Sequence, residues 1–435
     1  MPRASLAALT LAGLAAVHAS AQEPGVDSSL TATISQSFEI DSNYDLDDPS
    51  EGTSYYGDTR FGLAYLNETP TQVFELGLDT GLRALQRPDE DFEFTFASPS
   101  IARLGYANEW ASGAFDADVR YRQTQVDFNR PLDDFATDEG IIEVPDDLDQ
   151  LTGDAIERRT DGNFVLALAT DAPSSYEFTL TATNFDYSEV AANRTPRTIV
   201  QGDALWRLRL TPVFSGALLG SYYLYQADNI QDTEIRVAEI DAGVIYEPSE
   251  NLYIAAGLGY ADRQREDTIG GVRQTTQDET GPTARAQVRY TTDEFVLNFN
   301  GRVTTAAPST RFTGAMRVAY PLARGNVNAR VFQRYIGNSS DEEVRVTGVG
   351  VGVIRDINTV SRIGLDFAYG LQVNQDDPDE EDIHRTDFTA SYIYDVTETV
   401  SAEVGYQFRN RIEDPEDATS NAVFFVIGKT FETGL

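Results

Sequence analysis

The chain has 435 residues, no cysteine and a formal net charge of −37. The missing cysteines exclude a disulfide framework and a thiolate metal site, and so acidic a chain lacks the clustered basic residues that nucleic acid requires. Apolar residues make up 41% while tyrosine and phenylalanine number 21 and 23, an aromatic-rich but not oily composition that suits a wall wetted on one side.

Residues 1–21 have the parts of a secretory signal, with Arg3 in the n-region, an apolar core from Leu6 to Val17 and Ala19-Ser20-Ala21 as the cleavage site. The mature chain is expected to begin at Gln22. That apolar core is too short to span a bilayer as a helix, and no later run reaches eighteen apolar residues. Export without a stop-transfer helix is what an outer-membrane barrel requires.

Period-two alternation begins at once. Leu30, Ala32, Ile34 and Phe38 alternate with Thr31, Thr33, Ser35 and Ser37, so one face of the strand is oily and the other wet. An acidic loop is expected at 41–58. Two further strands carry Phe61, Leu63, Tyr65 and then Phe74, Leu76, Leu78, Leu82, joined by the short turn 68–71. Short connections recur near Asn108 and at 171–174, 211–212, 247–250, 291–294, 321–325, 356–359 and 395–398. Longer acidic ones lie between them at 127–158, 266–277, 374–383 and 413–419. The hairpin 284–303 states the pattern most clearly, with Ala284, Ala286, Val288 and Tyr290 against Arg285, Gln287 and Arg289, then Phe295, Leu297, Phe299 and Val303 against Asn298, Asn300 and Arg302. The last strand, 421–431, puts Val423, Phe425, Ile427 and Phe431 on one face, interrupted by Lys429.

Segments of about ten residues with alternating polarity, short turns at one rim and long loops at the other, are the signature of a transmembrane β-barrel. The expected fold is therefore all-β, a transmembrane antiparallel β-barrel of about 18–20 strands over residues 22–435, with short periplasmic turns and long acidic extracellular loops. An even strand number puts both chain ends at the periplasmic rim.

If the aromatic parity faces lipid, the opposite parity lines the interior. It carries Arg120, Arg122, Arg207, Arg209, Arg285, Arg289, Arg302, Arg317, Arg330, Arg334, Arg409 and Arg411, with Asp116, Asp118, Glu239, Asp241, Asp366 and Glu403 interleaved. An arginine on the lipid side near the midplane costs about 2–4 kcal/mol, so these residues are expected to line a pore. A barrel this wide cannot be filled by its own side chains, which leaves an open channel or one plugged by a loop. The longest loop, 127–158, is the expected plug. Tyr222 or Tyr223, together with Tyr253, would supply stacking surfaces for a sugar.

The mature chain holds a single histidine, His384, beside Asp382, Arg385 and Asp387. An outer-membrane hydrolase would have to use it or dispense with histidine. The acidic runs 45–51, 146–149 and 376–382 offer oxygen ligands of the kind Ca²⁺ or Mg²⁺ takes, but none has the EF-hand spacing, and they are expected to be solvated outer loops that repel one another. No catalytic residue, metal ligand or cofactor is assigned.

The opening hairpins at 29–85, the arginine-bearing strands and the 420–431 ending resemble the β-barrel porin 2 family of Gram-negative outer membranes. The resemblance implies an integral outer-membrane barrel in contact with outer-membrane lipid and the outer-membrane assembly machinery. Some relatives are associated with extracellular polysaccharide, which implies an outlet channel and polysaccharide-export partners. A passive porin, commonly a homotrimer, or such an outlet is the expected function, and a non-conducting barrel that anchors a surface structure is the alternative.

Overall fold

The computed structural model describes residues 27–434 apart from 47, 89, 98, 127–154, 189–194, 230, 270–271, 307–309, 338–342, 376–381 and 414–415. The expected signal segment, most of the expected plug at 127–158 and nearly all of the acidic run 376–382 lie outside the described residues. The strands in chain order are β1 (Asp27–Asp41), β2 (Ser54–Glu68), β3 (Gln72–Gln86), β4 (Glu93–Phe96), β5 (Ser100–Trp110), β6 (Gly113–Val126) and β7 (Ala155–Leu168). They continue with β8 (Ser174–Tyr187), β9 (Arg197–Arg209), β10 (Phe214–Ala227), β11 (Thr233–Ser249), β12 (Leu252–Ile269), β13 (Val272–Thr292) and β14 (Phe295–Thr304). The last are β15 (Arg311–Leu322), β16 (Gly325–Gly337), β17 (Glu343–Asp356), β18 (Ser361–Asn374), β19 (Ile383–Thr397), β20 (Val400–Glu413) and β21 (Glu416–Gly434).

Each wall strand pairs antiparallel with its neighbours in sequence, and β1 closes the sheet on β21 in a register running from Ser29↔Gly434 to Asp41↔Ala422. The result is a closed barrel of 20 strands. The short β4 stands apart from the wall count, since it pairs only with the end of β3, from Leu82↔Phe96 to Leu85↔Glu93. Closure matters because an open edge in lipid would leave N–H and C=O groups without partners.

The connections divide by rim. Those on the rim that carries Asp27 and Gly434 run from two to five residues, as at 111–112 and 169–173, whereas β1 and β2 are joined at the other rim across 42–53. Three expectations need correction here. The turn placed near Asn108 falls at 111–112, because Glu109 and Trp110 still pair with Ala114 and Gly113. The expected loop 266–277 is a ladder in which Glu266 pairs with Thr275 and Ile269 with Val272, so β12 and β13 continue beyond their neighbours as a tall hairpin. The expected loop 413–419 likewise belongs mostly to β21, with Glu413 opposite Glu416. In each case polar composition suggested a loop, although strands clear of the bilayer need no apolar face.

The exterior reads as a membrane-spanning surface. Along β10 the outward residues are Phe214, Leu218 and Tyr222, and the inward ones include Ala217, Leu219 and Tyr223. Near the short-turn rim, aromatic pairs straddle the hairpins, namely Tyr65–Phe74, Tyr106–Phe115, Phe214–Tyr246 and Tyr290–Phe295, with ring centroids 6.2–6.3 Å apart. Toward the other rim, Tyr55, Tyr121, Tyr222, Tyr260 and Tyr406 form a second exposed ring. Two aromatic girdles around an apolar band are what a bilayer selects. On β12 the outward face turns from Leu258, 73% exposed, and Tyr260 to Asp262 and Gln264 one turn of the pleat later, which marks the upper membrane boundary. Lys429 falls on the lipid side but lies near the short-turn rim, its Nζ 4.7 Å from the Phe431 ring centroid, where a long side chain can reach the headgroups.

The two faces of β10 give a direct test. Leu218→Arg should lower the stability of the refolded protein by about 2–4 kcal/mol in urea titrations with lipid vesicles, whereas Leu219→Arg, one residue on, should cost less than about 1 kcal/mol. Equal effects would contradict the assignment of the faces.

Candidate functional site

The arginine and acidic positions singled out in the sequence fall on the inner-face parity, most of them flanked by outward apolar or aromatic residues and Arg122, Arg334, Arg409 and Arg411 by one polar neighbour each (Gln123, Gln333 and the shared Asn410). Arg207 and Arg209 alternate with Trp206 and Leu208, Glu239 and Asp241 flank the exposed Ile240, and Asp366 lies between the exposed Leu365 and Phe367. Register then sorts them into groups.

The central group joins β11, β13 and β14. Glu239 accepts a hydrogen bond from Arg285 Nη2 at 2.8 Å and is also gripped by Arg302. Asp241 is 2.6 Å from Arg285 Nη2 and accepts a hydrogen bond from the Thr283 hydroxyl at 2.9 Å. The Asp241 carboxylate occupies the space opposite it on β12, where a Cβ on Gly259 would come within 2.1 Å of Oδ1. Glycine is therefore required there. Next to this group, Arg207 makes a two-pronged contact with Glu247 and donates from Nε to Ser215 at 3.1 Å. Arg289 lies over the Tyr253 ring at 5.1 Å.

Around the wall, Arg317 on β15 stands directly opposite Arg330 on β16. Arg330 and Arg334 flank the Phe332 ring, at 5.4 and 4.8 Å from its centroid. Asp118 lies 3.9 Å from Arg103, and Asp116 follows it toward the short-turn rim, while Arg120 and Arg122 face Arg103 and Arg159 across their strands. Asp366 and Glu403, on β18 and β20, lie close enough to repel one another and stand apart from the central group.

Strands β8 to β16 bound an interior cavity of about 930 Å³ whose lining includes Asp203, Tyr223, Tyr253, Arg285, Arg302, Arg330 and Arg334. Of the two candidate tyrosines on β10, Tyr223 faces this space and Tyr222 faces lipid.

A last group, on β1–β3 and β19–β21, was only partly foreseen. Arg409 is 1% exposed, lies 3.4 Å from Glu39 and grips Asp41, which also binds the Ser420 hydroxyl. Beside it, the equally buried Arg385 is 3.4 Å from Asp387, and Arg411 holds Glu413. The acidic stretch after β1, expected to be a solvated outer loop, instead turns into the barrel. Tyr44 is 2% exposed and Leu46 1%. The Tyr44 hydroxyl accepts from Arg83 Nη1 at 3.0 Å, its ring meets that of Tyr56 at 5.4 Å, and Arg83 also holds Asp58 through two 2.8 Å bonds. Leu46 adopts φ of 55°, a left-handed conformation that leucine rarely takes and that burial of its side chain here offsets. The two apolar residues among acids, Tyr44 and Leu46, were the available signal.

His384 lies on the outer face, where its Nδ1 is 2.8 Å from the Tyr369 hydroxyl, while Arg385 and Asp387 point inward. The barrel wall thus separates the histidine from Arg385 and Asp387. Among the described residues, no group of three or more His, Cys, Asp or Glu side chains is placed to hold a metal ion.

No protein-family model matches this chain, and no characterised protein matches it in sequence. Solved structures do resemble it. The ferric-catecholate import receptor Fiu from E. coli K12 aligns over 94% of this chain and 82% of its own, at 9% identity and a TM-score of 0.47. The copper transporter OprC aligns over 94% and 82%, at 8% identity and a TM-score of 0.48. The anion-selective porin from Comamonas acidovorans aligns over 94% of this chain and its whole length, at 12% identity and a TM-score of 0.36. The barrel assignment rests on the closed register and the apolar exterior, and these likenesses add no substrate to it.

Arg409→Gln should destabilise the protein by about 3–5 kcal/mol in urea unfolding, because Asp41, 0% exposed, would be left buried without its countercharge. The double variant Asp41→Asn/Arg409→Gln should recover part of that loss. A double variant as unstable as the single one would mean that the pair is not coupled.

Proposed function

We propose that the chain is a passive outer-membrane pore through which hydrophilic solutes cross along the arginine-bearing inner wall. The observation that carries this reading is the cavity of about 930 Å³, lined in part by arginines and carboxylates, inside a closed 20-strand wall. Side chains fill an eight-stranded barrel, but a wall with more than twice as many strands leaves space for water. The inner face offers hydrogen-bonding and charged groups at every level described, so a permeating solute exchanges water for protein contacts. A general porin and an outlet for a polysaccharide both fit this wall, and the resemblance to the β-barrel porin 2 family favours the same pair. Homotrimer formation belongs to the porin reading and is checked by crosslinking in native membranes.

One feature favours a second reading. The inward turn at 42–46 packs against Arg83 and narrows one side of the lumen, as a non-conducting barrel that anchors a surface structure would also do. The two readings separate in a planar bilayer. Refolded residues 22–435 should give steady ohmic single-channel conductance, and replacing Tyr44 and Leu46 with glycine should raise it. Silence in both proteins would overturn the pore and favour the anchor.

A further inference from the structure

We infer that the inner wall from β13 to β16 is a carboxylate-binding station, and that the solutes this pore serves carry carboxylates. The inference rests on the pore reading for transport, but the binding it asserts can be measured without conductance.

The first observation is a register that a stable sheet would avoid. Inward-facing arginines stand directly opposite one another in five cross-strand pairs: Arg103↔Arg120, Arg122↔Arg159, Arg285↔Arg302, Arg317↔Arg330 and Arg385↔Arg411. Like charges directly opposite on a sheet are destabilising. Repeating that arrangement around one lumen calls for a compensating use.

The central group illustrates such a use. In the Arg285↔Arg302 pair, a single carboxylate, that of Glu239, is held by both guanidinium groups. Two arginines across a ladder therefore sit at the spacing that clamps a carboxylate, the acceptor whose geometry matches the guanidinium fork. Arg317↔Arg330 repeats the same cross-strand register farther round the wall. There the inner positions of β14 to β16 offer Asn298, Asn300, Asn326 and Asn328 but no aspartate or glutamate. Arg317, Arg330 and Arg334 already make contacts in the resting protein, so an incoming carboxylate exchanges with a partner rather than filling a void.

The second observation is preorganisation. Phe332 is 6% exposed, with Arg330 and Arg334 against its two flanks, and it fits only because β17 presents Gly348 opposite it, where a Cβ would lie 2.2 Å from the ring. Guanidinium groups stacked on a fixed ring lose less freedom when they bind, which favours recognition over diffuse attraction. The cavity that Arg330 and Arg334 share with Arg285 and Arg302 has room for more than one small acid, and Tyr223 and Tyr253 add aromatic faces to it. Two solute types present this chemistry, acidic oligosaccharides and small polycarboxylic acids.

The test is calorimetric titration of the refolded protein in detergent micelles with trigalacturonate, tricarballylate and the neutral maltotriose. It compares wild type with Arg317→Gln/Arg330→Gln and with Arg330→Lys. Removing the opposed charges relieves repulsion, so the double variant should fold, which heat-modifiable gel mobility checks. Trigalacturonate should bind, more weakly as salt rises, and the double variant should lose about tenfold or more of that affinity. Arg330→Lys should fall between, since it keeps the charge and loses the fork. Tighter binding of trigalacturonate than tricarballylate assigns the station to acidic saccharides, and the reverse assigns it to small polycarboxylates. Maltotriose binding as well as trigalacturonate, or a double variant indistinguishable from wild type, would overturn the inference. Carboxylate binding in a protein that does not conduct would sink the pore reading and leave the station intact, whereas conductance without carboxylate binding would do the opposite.

Discussion

The structure depends first on the backbone. In hydrocarbon a peptide group without a partner costs several kcal/mol, so a wall that spans with strands must close its sheet on itself. The pairing of β1 with β21 achieves this, and once it is made every side chain must choose between lipid and lumen with a period of two. The aromatic girdles, the apolar band and the arginine wall are consequences of that single choice. A register slip of one residue in an arginine-bearing strand such as β13 would place arginine in lipid and apolar side chains in water.

The charge of the molecule divides along the same boundary. The formal −37 of the whole chain does not describe the lumen, where arginines and carboxylates interleave and often meet in ion pairs. The acidic run 45–51 follows β1 in the connection to β2. Inside, the arrangement is uneven. Carboxylates such as Asp116, Asp118, Asp366 and Glu403 lie on strands away from β14 to β16, whose inner positions include arginines and asparagines but no aspartate or glutamate. If the proposed pore function holds, a lumen with a basic arc and acids elsewhere around it orients a charged solute as well as admitting it, because field lines concentrate in a low-dielectric wall.

Much of this was legible in the sequence because side-chain parity is a local property. The alternation around Arg285 and Arg302, or around Glu239 and Asp241, assigns faces without knowledge of any neighbour. What parity cannot give is register, and register makes the site. That Arg317 faces Arg330, or that Glu239 reaches across two strands to Arg302, depends on pairings between separate segments. The height of the β12–β13 hairpin was hidden for a different reason, since strands above the bilayer lose the apolar face that identifies them. The inward turn at Tyr44 and Leu46 was masked by the acids around it, whose charge suggested solvent while Arg83 and Arg409 supplied partners inside. Separating His384 from Arg385 and Asp387 also needed only parity, but their closeness in sequence suggested a shared site.

The claim on which all of this rests is that alternate residues of the wall face lipid and a water-filled lumen. The absence of cysteine from the chain allows it to be tested one residue at a time. Single cysteines placed along β10 from Ser215 to Tyr223, in protein inserted into native membranes, would be exposed to a charged, membrane-impermeant thiol reagent. The account predicts labelling with a period of two, with positions 215, 217, 219, 221 and 223 reactive and those between them protected. Protection at every position would mean a lumen closed to water, and reactivity on the opposite parity would mean that the faces have been assigned the wrong way round.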